Sequence, residues 1–317
     1  MKSAPTSPKR VASIDIGTNT ILLLITGFGR GKIKPLFEEE TIVRLGEGVR
    51  ERKRLFQEAM ERGLETLARY MARCRQMGVE KTYAVGTSAL REAKNAATFL
   101  NRVKKELGLE IEIISGEEEA RLSYLAVTKD LKETKKLTLV VDVGGGSTEF
   151  IVGKGDRILK WVSLPLGSVR LTEEFLLSDP IENKEENRML RKTERFLSGI
   201  PHPRSSFSMV AVGGTATALA SVEMGLKSFI PERIHHFVLR KEALGKQLSL
   251  FRSKTIEERR KIQGLSPARA DVIFAGGMIL YRTMEELECP DVMVSCHGVR
   301  YGVLYKKIMD DGLGISD

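Results

Sequence analysis

Cysteine is scarce: Cys74, Cys289 and Cys296 are the only three in 317 residues. They are too few and too scattered for a disulfide framework or a cysteine-rich zinc site, and they fit a reducing cytoplasm. Long apolar runs are missing too. The longest, Ile21-Leu22-Leu23-Leu24-Ile25, falls far short of the roughly 20 residues that span a bilayer, so no membrane-spanning helix is expected. The opening MKSAPTSPKR carries charge with no apolar stretch of secretory length behind it. No cleaved leader is expected there, and the first ten residues read as a frayed tail. Blocks of like charge are absent as well. With 42% hydrophobic and 29% charged residues in mixed order, the composition excludes global disorder and a collagen-like chain.

What is present is enough chain for one large domain or two ordinary ones, with ample core. Lys and Arg outnumber Asp and Glu to give a net charge of +9. That balance favours polyanionic partners such as nucleotides, polyphosphate or nucleic acid. An intermixed, solvated Lys/Arg surface accounts for the same number.

Strand and helix patterns alternate along the chain. Val11 to Ile16 and Ile21 to Ile25 read as strands around the turn Gly17-Thr18-Asn19, and strand-like pieces continue from Lys32 to Leu45. Leu55, Phe56, Ala59, Met60, Leu64, Leu67, Met71 and Cys74 recur at helical steps until Gly78. Lys81 to Val85 is a strand, Asn95 caps a helix through Leu107, and Leu109 to Ile114 alternates like a strand. Glu117-Glu118-Glu119 opens another helix. The pattern then restarts, with strands at Leu137 to Val141 and Thr148 to Val152, a helix-rich stretch, and a strand from Ser208 to Val212 ahead of Gly213-Gly214-Thr215. A long helix is expected from about Pro267 to Glu288, then a strand from Asp291 to Ser295 and a helix from Gly298 to Met309. Asp179 to Ser206 reads as the loosest part, a surface excursion. The alternation implies an α/β fold.

One internal echo stands out. Ala12-Ser13-Ile14-Asp15-Ile16-Gly17-Thr18-Asn19-Thr20 resembles Val140-Val141-Asp142-Val143-Gly144-Gly145-Gly146-Ser147-Thr148. Each unit is an apolar strand, an Asp, an apolar residue, a Gly, a small-residue turn and a second strand. Glycines in such a hairpin let backbone N–H groups approach an anion, and the Asp can hold a divalent cation or its water. One such turn alone is ordinary; two with matching Asp positions, plus Gly213-Gly214-Thr215 at a helix start, point to phosphate. A strand follows the glycines, not a helix, so this is no dinucleotide-binding G-x-G-x-x-G unit. Gly276-Gly277 inside the helical run fits tight helix packing better than a site. His235 and His236 read as strand neighbours facing opposite ways, so no metal site is expected there. Cys296 beside His297 is not read as a nucleophile pair, and His297 is assigned no role.

These motifs resemble the exopolyphosphatase and guanosine pentaphosphate phosphohydrolase (Ppx/GppA) family. The matching segments are SIDIGTNT from Ser13, AVGTSALREAKNA from Ala84, ISGEEEARLSYLAV from Ile114, VVDVGGGSTEFIVG from Val140, LPLGSVRLTE from Leu164, AVGGTATALA from Ala211 and VSCHGVRYGVLY from Val294. The resemblance implies two ribonuclease-H-like domains of the sugar kinase, heat-shock ATPase and actin superfamily, with an interdomain cleft. Residues 1–120 plus 300–317 would form one domain and 121–299 the other. It resembles the short, two-domain form of the family.

The resemblance also implies a site. The family's catalytic glutamate falls on Glu119, directly before Ala120-Arg121, as a general base toward water. Arg91 would fork onto phosphate oxygens. Asp142, Glu149 and Asp15 would hold Mg²⁺. Gly17, Thr18, Asn19, Gly144, Gly145, Gly146, Ser147, Gly213, Gly214 and Thr215 would bind phosphate. Glu149 lies two residues beyond Ser147, so on a strand it should face the same side. The implied activity is release of terminal orthophosphate from inorganic polyphosphate, guanosine pentaphosphate or both, in the cytoplasm. A homodimer is compatible with the resemblance; membrane and nucleic-acid partners are not expected. An ATP-dependent small-molecule kinase of the same superfamily and a non-catalytic alarmone sensor stay open as alternatives.

Overall fold

The structure, a computed structural model, describes residues 9–29, 32–131, 136–203 and 205–310. The segment read as a frayed tail lies outside the described residues through position 8. The chain divides into two compact units, Met1–Ser115 with Val299–Asp317 and Gly116–Gly298. Both are α/β.

In the first unit, β1 (Lys9–Ile16), β2 (Thr20–Gly29) and β3 (Lys32–Ile42) form an antiparallel meander. The strands β4 (Lys81–Gly86) and β5 (Ile111–Ile113) add in parallel, giving the order β3-β2-β1-β4-β5. Alternate residues Ala12, Ile14 and Ile16 of β1 and Ile21, Leu23 and Ile25 of β2 enter one core. Leu64, Leu67 and Tyr70 of the helix Gln57–Gln76 and Phe99 and Val103 of the helix Ala96–Leu107 cover it. The helix Val299–Asp310 closes this unit. Ser13 Oγ donates to the Arg300 carbonyl at 2.7 Å, and Arg300 Nη2 and Tyr301 Oη each reach Glu38 at 2.6 Å.

The second unit repeats the plan. The strands β6 (Leu137–Val143), β7 (Thr148–Lys154) and β8 (Arg157–Leu164) form the meander, and β9 (Phe207–Val212) and β11 (Asp291–Val294) add in parallel. A short β10 (Val238–Arg240) runs antiparallel to β11, so the order is β10-β11-β9-β6-β7-β8. Alternation along β6 splits the core. Leu139, Val141 and Val143 enter the larger cluster, with the helices Asn183–Leu197, Gly213–Glu223 and Ile273–Glu286. On the opposite face Val140, Ile151, Val210 and Val212 pack against Ala120, Tyr124 and Val127 of the helix Gly116–Asp130.

Several expectations are corrected. Asp179 to Ser206 is not a surface excursion: it carries the helix Asn183–Leu197, whose Met189, Thr193 and Leu197 are buried. Those four-residue steps are hidden among charges. Glu185 pins the helix start by accepting from the Ser178 N–H at 3.1 Å and from its hydroxyl at 3.0 Å. The run from Pro267 is not one helix but a 3-10 turn, Pro267–Arg269, followed by Ile273–Glu286. Between them the Ala270 carbonyl accepts from buried Arg259 at 2.8 Å. The strands β8 and β10 were not expected; β8 is an edge strand whose exposed Leu159 and Trp161 blur its alternation. Asn95 begins its helix without capping it, because its side chain grips both the N–H and the carbonyl of Leu55, at 2.8 and 3.0 Å. Gly276 and Gly277 do serve helix packing, lying against Thr215 and Leu248.

Candidate active site

The two periodicities that build the second unit also assemble its acids. On β6, Asp142 follows Val140 on the face toward the helix Gly116–Asp130. Glu149 lies directly across from Asp142 in the β6–β7 ladder, as Ile151 lies across from Val140. On the helix, Glu119 precedes Ser123 and Val127 at four-residue steps, so all three lie on one stripe. Apolar pairs therefore give way to acids at one end of this layer. Glu119, Asp142 and Glu149 are 8%, 9% and 1% exposed.

Like charges directly opposite on neighbouring strands destabilise a sheet, and both carboxyls here are buried. Burial, then the Glu119 and Asp142 charges, push the Glu149 carboxyl well above its ordinary range. Burial also raises Asp142, against a hydrogen bond from Ser123 Oγ to its Oδ2 at 2.6 Å. Ser163 Oγ donates to Glu149 Oε1 at 2.7 Å, and Ser147 also hydrogen-bonds Glu149. A buried acid cluster held by hydroxyls is an all-oxygen donor set, which fits a hard divalent cation such as Mg²⁺.

The turn beside these acids is tied from behind. Gly144 N–H donates to the Ser147 carbonyl at 3.0 Å. The Gly144 carbonyl accepts from Ser168 N–H at 2.9 Å, and that of Gly145 from Val169 and Arg170 N–H at 3.0 and 3.1 Å. Arg170 Nε takes the Gly146 carbonyl at 2.8 Å. With its carbonyls consumed, the turn keeps the N–H groups of Gly145, Gly146 and Ser147, which meet no acceptor among the described residues. Consecutive free donors of this kind make an anion-binding concavity. Gly167 permits the tie, since a Cβ there would lie 2.3 Å from the Gly145 carbonyl oxygen. The third turn joins the same place. Gly213 has φ +88, and a Cβ on it would sit 2.8 Å from Asp142 Oδ1. Gly214 lies under the buried guanidinium of Arg269, and Thr215 is buried behind it.

The first unit gathers its own set. Gly17 N–H donates to the Thr20 carbonyl at 2.9 Å, and the Thr18 and Asn19 carbonyls accept from Gly46, Val43 and Arg44 N–H groups. Asn19 is 6% exposed, and its buried Nδ2 has no hydrogen-bond partner among the described residues. Such an orphan donor is costly unless a ligand meets it. Asp15 is half-buried opposite Leu22 on β2. Arg91, on the short helix Ser88–Glu92, donates from Nη1 to the Ile114 carbonyl at 2.9 Å.

Sequence reasoning missed four contributors: Ser123, Ser163, Gly167 and Arg269. The helical step from Glu119 to Ser123 was a usable signal. Ser163 lay on the unexpected β8, where it pairs with Glu149. Glu117 and Glu118 stay outside the cluster as their helix-start reading has it; Glu117 bridges Arg121 at 2.7 Å on the surface.

The Ppx/GppA phosphatase family model matches residues 24–310. The chain belongs to this family. Among its relatives are the bifunctional 3-dehydroquinate synthase/phosphatase of Fusobacterium nucleatum, 36% identical over 90% of this chain and 44% of that protein. The guanosine-5'-triphosphate,3'-diphosphate pyrophosphatase of Vibrio atlanticus is 32% identical over 96% of this chain and 61% of its own length. Exopolyphosphatase 2 of Mycobacterium tuberculosis is 32% identical over 93% of this chain and 97% of its own. This chain thus spans less than two thirds of the length of the first two relatives. The solved Ppx/GppA family member from Aquifex aeolicus superposes with a TM-score of 0.81 at 38% identity, covering 96% of this chain and 98% of that one. Among the described residues no helix is long and apolar enough to cross a membrane.

Proposed function

We propose that this Ppx/GppA chain hydrolyses terminal phosphoanhydride bonds, releasing orthophosphate from inorganic polyphosphate, guanosine pentaphosphate or both. One observation carries the reading: a buried Glu119 shares a face with Asp142 and Glu149 beside a turn that presents three N–H donors. Phosphoryl transfer asks a protein mainly for positioning and charge neutralisation. The Gly145, Gly146 and Ser147 N–H groups supply the first for phosphate oxygens, and Gly17, Thr18 and Asn19 form a second phosphate-binding turn in the first unit. Gly213, Gly214 and Thr215 give a helix N-terminus for a further phosphate. Arg91 contributes a guanidinium to phosphate.

Asp142 and Glu149 would hold Mg²⁺, which supplies charge neutralisation on the phosphates when bound. Glu119 accepts a proton from the attacking water at a carboxylate oxygen. Ser123 and Ser163 hold Asp142 and Glu149 in place. A kinase of the same superfamily has no need of a buried base on water, and a sensor has no need of a base at all, so neither alternative is favoured.

The test is orthophosphate release from polyphosphate and from guanosine pentaphosphate, side by side, with Mg²⁺ and with EDTA. Metal-dependent release from at least one substrate is expected. Release from neither, or full release in EDTA, overturns the reading.

A further inference from the structure

The chain has four histidines, and three of them meet at one carboxylate away from the acid cluster. Asp130 is the last residue of the helix Gly116–Asp130. His236 Nε2 lies 2.6 Å and His235 Nε2 3.0 Å from Asp130 Oδ2, and His297 Nδ1 lies 3.7 Å from Oδ1. The His235 ring stacks on His236 with centroids 3.9 Å apart and lies tilted against His297 at 4.2 Å. The expectation of two strand histidines facing apart is therefore corrected. They follow the short helix Pro231–Ile234, and His236 turns back with φ +66.

Three further features mark this as an assembled cluster. A carboxylate at a helix C-terminus opposes the helix dipole, so Asp130 needs cationic or N–H partners to be stable there. A positive φ is uncommon for a residue with a side chain, and such strain collects at functional sites. Cys296 N–H donates to His235 Nδ1 at 3.1 Å, which fixes the ring and turns Nε2 toward Asp130.

We propose that Asp130, His235 and His297 form a binding site for a transition metal of the Zn²⁺ class, with His236 as a further imidazole at its rim. One ligand atom from each of the three lies within 4.8 Å of the others. A tetrahedral zinc sets such atoms roughly 3.4 Å apart, so side-chain adjustment of about an ångström closes the site. Two or three nitrogens and one oxygen select Zn²⁺ over Mg²⁺, which prefers all-oxygen ligands. Occupancy ties the end of the helix Gly116–Asp130 to the segments that follow Ile234 and Val294. Ligation of Zn²⁺ by neutral His235 through Nε2 needs its ring proton on Nδ1, so the Cys296 N–H contact at Nδ1 must open as the ion binds. Opening that contact costs binding energy, so the site binds reversibly and more weakly than a structural zinc finger.

The test is Zn²⁺ titration of the full chain with excess Mg²⁺ present, read by competition with a chromophoric chelator and by Co²⁺ absorption bands. We expect one ion per chain and weaker binding at lower pH. His297→Gln and His235→Gln should weaken it by about 10–100-fold or more. His202→Gln, the exposed fourth histidine, should leave it unchanged. Thermal unfolding in EDTA checks that the variants fold, and His297→Gln decides if His235→Gln does not. Wild-type affinity in His297→Gln, or no ion retained by the wild type, overturns the proposal.

Discussion

After β1, Gly17 N–H donates to the Thr20 carbonyl at 2.9 Å; after β6, Gly144 N–H donates to the Ser147 carbonyl at 3.0 Å. In each unit a third strand follows, and the chain then returns to tie the turn's carbonyls. The N–H groups of Val43, Arg44 and Gly46 do this in the first unit, and those of Ser168, Val169 and Arg170 in the second. The closing hydrogen bond of the hairpin matches, but the side chains facing the Asp do not. Asp142 faces Glu149 across the ladder, with Ser123 and Ser163 holding the pair, whereas Asp15 faces Leu22. The hairpin recurs in both units, while the buried acids are concentrated in one copy.

The largest expected effect separates the two aspartates. Asp142→Asn should lower turnover by about 10²-fold or more and raise the Mg²⁺ concentration needed for half activation, because a ligand charge is lost beside another acid. Asp15→Asn should leave that concentration nearer the wild-type value. Metal titrations of activity for both variants check this, and equal shifts would break the asymmetry.

A smaller effect concerns the tying glycines. Gly167→Ala places a Cβ 2.3 Å from a backbone oxygen, whereas Gly46→Ala meets the Thr18 methyl at 2.4 Å, a side chain that can turn. Overpacking of this kind costs roughly 1–3 kcal/mol. Denaturant unfolding should show the greater loss for Gly167→Ala; the reverse order would contradict the tie described for the second turn.

The smallest effect is a gain. Glu149 is held above its unfolded range, so between the unfolded and folded pKa the folded protein carries the extra proton, and stability falls as pH rises through the folded pKa. Glu149→Gln removes that penalty. In EDTA, above neutral pH, it should stabilise the protein by about 1 kcal/mol or more and flatten the slope, while activity falls. Unchanged stability would show that the acids do not strain the metal-free fold.

Much of this was legible from sequence where period and punctuation agree. The two-residue step from Ser147 to Glu149 implied a shared side, in keeping with the hydrogen bond between them, and the echo of Asp15 in Asp142 announced the repeated hairpin. Other features left weaker marks. The edge strand β8 mixes exposed Leu159 and Trp161 with charges, so its Ser163 was not seen to reach Glu149. Met189, Thr193 and Leu197 keep helical steps inside a segment too charged to look buried. Arg269 and the histidine cluster depend on contacts between segments distant in the chain, as in Asp130 with His235 and His297. No local pattern encodes such meetings.

The central claim is that the acid cluster of the second unit activates water through Glu119. Orthophosphate release by Glu119→Gln, measured beside substrate binding to the same variant, tests it most directly. The account predicts a loss of turnover of roughly 10²–10⁴-fold with binding largely kept. Turnover near the wild-type value in that variant would contradict it.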